Sequence, residues 1–150
     1  MSRHVFTNRV ITLRHPVLRR GRWRDVVSAC RRALLTPIGL RTLAPNDPSY
    51  QPFYHGDQGS RDQAYHQGTV WPWLLGPFVT AYIRAFGDAV ANRRDAREFL
   101  AGLEPHLRQA GLGGISEVAD GQPPHTAGGC PWQAWSVGEP LRAMVEDCAP

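Results

Sequence analysis

Residues 69–86 read TVWPWLLGPFVTAYIRAF. Trp71, Leu74, Leu75, Phe78, Val79, Tyr82, Ile83 and Phe86 recur there at intervals of three and four, which is one apolar face of a helix held over four turns. Thr69 is placed to cap it and Pro72 suits its first turn, whereas Pro77 has no N–H for an interior position and is expected to bend or loosen the helix near Trp73. Working outward, Trp23, Val26, Val27, Cys30 and Leu34 predict a helix over 23–34, stopped before Pro37. A third spans 91–110, with Ala96, Phe99, Leu100, Leu103 and Leu107 inward, an interruption at Pro105 and a stop at Gly111. A fourth starts at Pro131 and sets Ala134, Val137, Leu141, Met144 and Val145 at helical spacing. No segment alternates long enough to predict a strand with conviction, the nearest being 10–13. The fold class expected is all-α.

The chain has 150 residues, the length of a single domain that buries roughly 68–70% of its unfolded surface. Its 42% hydrophobic and 20% charged residues are ordinary for a globular protein. No apolar run approaches the roughly 18 residues of a membrane span, and the first thirty residues lack the apolar core of a secretory signal. A soluble chain with no membrane partner is expected. Cys30, Cys130 and Cys148 are odd in number, at spacings that match no disulfide framework or zinc site, and a reducing cytoplasm is the simplest setting. Every one of the 17 basic residues is arginine. Nine of them fall in residues 1–32 beside one acid, Asp25, so that segment carries +8 and the remainder −4. Such asymmetry marks nucleic-acid arms and targeting segments, but without lysines or interleaved aromatics it fits a preference for arginine codons equally well. Nucleic acid is not expected as a partner. Residues 1–20 are read as a basic lead-in and 21–150 as the domain proper.

Two long stretches, 36–68 and 111–130, are rich in Pro, Gly, Asp, Asn and Ser and read as loops. Loops of that length in a compact domain are either functional or disordered. Tyr50, Phe53, Tyr54, His55, Tyr65 and His66 are contact-making groups and argue against disorder. Two such loops on a helical scaffold would build the wall of a pocket.

The run LLTPIGLRTLAPNDPSYQPFYHGDQGSRDQAYHQGTVWPWLLGPFVTAYIRAFGD, followed by GGISEVADG and GCPWQAWSVGEPLRA, resembles the C-terminal end of the glycogen-debranching enzyme family, its amylo-α-1,6-glucosidase domain. Several separate motifs stand in the family's order, and the resemblance extends over about 8–145. It implies an (α/α)6 barrel whose end loops form a pocket for a glucose stub, of which this chain would hold about the last four helices with long active-site loops. It implies an α-glucan substrate and no cofactor or metal. It also places the general acid aspartate upstream of anything matched here, so the chain alone is expected to be incomplete and inactive, with the missing N-terminal part of the same enzyme as its partner.

Inverting glycoside hydrolysis needs an acid to protonate the leaving oxygen and a base to activate water on the opposite face. By resemblance to the family's S-E-x-x-D-G motif, Glu117 is the base; from the residues alone it reads as a solvated loop carboxylate. Asp120 is the next candidate, for substrate binding, although Asp-Gly is also a common turn. Arg61 and Asp62 can bond sugar hydroxyls or tie the loop as an ion pair. His66 and Gln67 are expected to point into the pocket at the start of the Trp71 helix, or else to cap and pack. Trp73 is the better candidate to stack on a pyranose face, Trp71 and Trp135 being read as core and Trp132 as the more available of its pair. His55 and His125 show no metal-ligand spacing. Three readings follow: a C-terminal piece of a debranching-type glucosidase, an inactive carbohydrate-binding remnant, and a basic nucleic-acid-associated protein supported by nothing beyond residue 32.

Overall fold

In the computed structural model the described residues are 16–109 and 111–149. The possible strand at 10–13 and most of the basic lead-in lie outside them. A 3-10 turn, Arg20–Arg22, leads into helix α1, Trp23–Ala33. Strands β1, Leu35–Thr36, and β2, Gly39–Arg41, follow, then α2, Gln58–Tyr65, and β3, Val70–Trp71. A second 3-10 turn, Pro72–Leu74, opens α3, Leu75–Phe86. Next come α4, Val90–Ala101, and the single turn α5, Leu103–His106. Strands β4, Val118–Ala119, and β5, Ala127–Gly128, precede the last helix, α6, Ala134–Glu146.

The five strands form one antiparallel sheet in the order β1-β2-β3-β4-β5. This corrects the expectation of an all-α partial (α/α)6 barrel: the described chain is mixed, helices with a sheet. The reason it was missed is length. Strands of two or three residues show no alternation, and what makes them strands is pairing with distant partners, Leu40 with Trp71 and Val70 with Ala119. The same pairing pulls Val70 and Trp71 out of the predicted helix. Thr69 caps nothing there; its hydroxyl donates to the Ala64 carbonyl at 2.8 Å. Pro77 falls in the first turn of α3, and the turn before it, Pro72–Leu74 with Trp73 at its centre, is 3-10 instead of α-helical, which is the loosening expected near Trp73.

Helix α3 is the central element and packs against α1, α4 and α6. Its buried face, with Leu75, Phe78 and Val79 fully enclosed, meets Val27 of α1 and Leu40, Val70 and Val118 of the sheet in one core. Phe99 of α4 closes on it, 5.5 Å from the Phe78 ring and edge-on to Tyr82 at 5.1 Å. Truncating a phenylalanine buried like Phe78 costs about 3–5 kcal/mol. Helix α6 approaches α3 at Gly76, where a Cβ would stand 2.6 Å from the Glu139 carbonyl oxygen. The side of α6 turned inward is the small one, Ser136, Pro140 and Ala143. Its larger residues Val137, Leu141, Met144 and Val145 are exposed, leaving an apolar stripe on the surface.

Candidate active site

Glu117 sits immediately before β4, and two segments hold it. Its backbone N–H donates to the Cys130 carbonyl at 2.8 Å, and one carboxylate oxygen, Oε2, accepts from the Cys130 N–H at 3.0 Å. The other, Oε1, accepts from the hydroxyl of Tyr65 at the end of α2. Burial, and then the bond to Glu117, push the Tyr65 phenol above its ordinary range, so it stays protonated and donating. Gly129 makes the close approach possible. Its φ is +68°, and a Cβ there would lie 2.6 Å from Glu117 Oε2, so only glycine fits both the backbone and the space.

A wall of rings stands beside this carboxylate. Tyr65 lies edge-on to Trp71 at 4.6 Å and to His66 at 4.9 Å. His66 is stacked on Trp71 at 9° between planes, and the Trp71 indole N–H donates to the Tyr65 carbonyl at 3.0 Å. Trp135 bridges Trp71 and Trp73 at 6.1 and 6.0 Å. Trp71 is buried as expected, and Trp73 is half-buried. Trp135, expected in the core, is 49% exposed, because the large side of α6 faces outward. Trp132 is exposed as well. His66 follows the end of α2, not the start of a helix, since β3 and the 3-10 turn intervene before α3. Gln67, half-buried, accepts from the Gln51 N–H at 2.6 Å through its carbonyl.

Arg61 and Asp62 ride on α2, a helix inside the stretch read as a loop. Asp57 starts it as N-cap by accepting from the Ser60 N–H at 2.8 Å, and that bond is the main reason its carboxyl is held below the usual range. Arg61 donates to the Gly56 carbonyl at 2.5 Å instead of pairing with Asp62. It lies one turn before Tyr65 on the same helix.

Asp120 is buried and both its oxygens are taken. Oδ1 accepts from the Tyr54 N–H at 2.8 Å and Oδ2 from His55 Nε2 at 2.8 Å. Its own N–H donates to Thr126, and its carbonyl meets His125 Nδ1 at 2.9 Å. Asp120 thus latches the 53–55 segment to the end of β4. Both histidines are used in this latch, and among the described residues no group of three or more His, Cys, Asp or Glu is placed to hold a metal. Cys130, exposed, and Cys148, buried, stand in no disulfide, and no described helix is long and apolar enough to cross a membrane.

Two residues that matter here escaped the sequence reading in their roles. Tyr65 was noted only as a contact-making aromatic. His106, fully buried, lies under the loop that carries Glu117, with Nε2 3.0 Å from Ser116 Oγ and Nδ1 3.0 Å from Gln109 Oε1. Burial pulls its pKa below the ordinary value, so it acts as a neutral pin. No local pattern announces a histidine whose partner is ten positions away.

The family model described as amylo-alpha-1,6-glucosidase matches residues 4–142. The glycogen debranching enzyme of Saccharomyces cerevisiae is 44% identical over 52 residues, which cover 31% of this chain and 3% of that protein. The chain therefore spans only a small part of that relative's length. With the match running over nearly all of it, including the Glu117 segment and the ring wall, the chain belongs to the amylo-alpha-1,6-glucosidase family.

Proposed function

We propose that this chain is the C-terminal part of a glucosidase that hydrolyses α-1,6-linked glucose at the branch points of glycogen-type α-glucans, and that Glu117 is its general base. The observation that supports this best is the setting of Glu117: a carboxylate gripped from two sides beside a wall of rings of which His66 and Trp135 are exposed. Flat rings suit the apolar face of a pyranose, and the second lone pair on each carboxylate oxygen is free to take a proton from water. In an inverting reaction that water attacks the anomeric carbon while an acid on the opposite face protonates the departing oxygen. The acid belongs to the upstream part of the domain, which makes that part the natural partner of this chain. Arg61, Asp62, His66 and Gln67 would contact sugar hydroxyls. The odd number and the spacing of Cys30, Cys130 and Cys148, which match no disulfide framework, suit a reducing cytoplasm.

A second reading, a carbohydrate-binding segment without chemistry, is favoured by one fact: both oxygens of Glu117 already accept protein hydrogen bonds. Complementation separates the two. The chain mixed with the upstream part of such a glucosidase should release glucose from a limit dextrin. No release at any ratio, with both pieces folded, would leave only the binding role.

A further inference from the structure

We propose that Tyr65 is the positioning residue for Glu117, its hydroxyl and the Cys130 amide acting as the two jaws of a clamp that fixes the carboxylate in the orientation the base requires. The inference rests on Glu117 being the base. It comes from three features that converge on one side chain. The Tyr65 ring cannot swing away, because Trp71, His66 and Tyr54 enclose it at 4.6, 4.9 and 5.8 Å. Its backbone is tied as well, the Trp71 indole N–H donating to its carbonyl at 3.0 Å. Its hydroxyl spans 52 positions of sequence to reach Oε1, while Oε2 is held by the Cys130 N–H, two residues after β5. A glutamate has three rotatable bonds, and fixing both oxygens leaves it one orientation. Tyr65 needs no contact with sugar for this, since all its polar capacity as a donor is spent on Glu117.

The test uses three versions of the full chain: parent, Tyr65→Phe and Glu117→Gln. Complemented with the upstream part, Tyr65→Phe should lose about 10- to 100-fold in kcat per folded molecule, the range carried by one hydrogen bond to a charged group, with KM within twofold; the lost bond also lowers the melting temperature by several degrees. A merely structural tyrosine would lower the melting temperature and leave kcat per folded molecule alone. A parental kcat in Tyr65→Phe, with Glu117→Gln inactive, overturns the positioning role and leaves the base assignment standing. An active Glu117→Gln overturns the base assignment instead. The clamp is also read without turnover. In the full chain alone, with ring-labelled tyrosine followed by NMR, one phenol should titrate earlier in Glu117→Gln than in the parent, and that signal should be the one missing from Tyr65→Phe. Identical titration in parent and Glu117→Gln overturns the clamp.

Discussion

Replacing Gly129 by alanine tests the geometry of the Glu117 loop without touching any functional group. At φ +68° an alanine sits in the left-handed region, at a cost of about 1–2 kcal/mol. Its Cβ would also stand 2.6 Å from Glu117 Oε2 and 3.0 Å from Glu117 Cβ, distances at which something must move. The carboxylate is the movable part. Turning it away breaks the 3.0 Å bond from the Cys130 N–H, a charge-assisted hydrogen bond of about 1.5–3 kcal/mol. The two terms overlap, because relaxing the backbone also relieves the clash, so about 2–4 kcal/mol is expected. In a domain of this size each kcal/mol shifts the melting temperature by about 2–4 °C. Urea unfolding followed by tryptophan fluorescence measures the difference, with Gly138→Ala as the control. Gly138 lies inside α6 with nothing near its Cβ position, so that change should stabilise by about 0.5–1 kcal/mol. A Gly129→Ala chain within about 0.5 kcal/mol of the parent would refute the described packing of the Glu117 loop.

In the complemented enzyme, Glu117→Gln should lower turnover by at least ~10²-fold with substrate binding nearly kept, since an amide preserves shape but takes no proton from water; azide should partly restore it. Stability should fall as pH drops below the ordinary histidine value of 6.5, because burial lowers the pKa of His106 in the folded state and the unfolded chain then binds the proton first. Denaturation at pH 5 and pH 7.5, compared with His106→Asn, reads that difference, and an equal slope in both chains would remove His106 as its source. The stripe of Val137, Leu141, Met144 and Val145 should make the isolated chain self-associate and bind a hydrophobic dye; a monodisperse monomer that leaves the dye dark would count against it.

How much was legible depended on how local each signal was. The helix at 23–34 needed only its own apolar spacing, and Trp23, Val27 and Cys30 are indeed its buried face. The interruption expected at Pro105 falls three residues earlier, at Gly102, and Pro105 itself lies inside α5. The sheet was invisible because Val70 and Trp71, read within a helical period, become extended only when Leu40 and Ala119 arrive to pair with them. Residues 58–65 looked like loop through their Gly, Ser and Asp, yet Asp57 and Ser60 are the start signal of a helix. The family was readable from its motifs, and Glu117 became the candidate base through that likeness alone. Its clamp was not, since Tyr65 and Cys130 are brought to it by the fold.

The sheet also dictates an order of events as the chain folds. The β1–β2 hairpin and the packing of α3 on α4 join near neighbours and can form early. Leu40 and Trp71 are 31 positions apart, and Val70 and Ala119 are 49 apart, so β3 and β4 close only after large loops have given up their freedom. Tyr65 reaches Glu117 across that same closure. The clamp is therefore among the last contacts made, and a nascent chain halted before residue 130 lacks both α6 and the Cys130 amide that holds Glu117 Oε2.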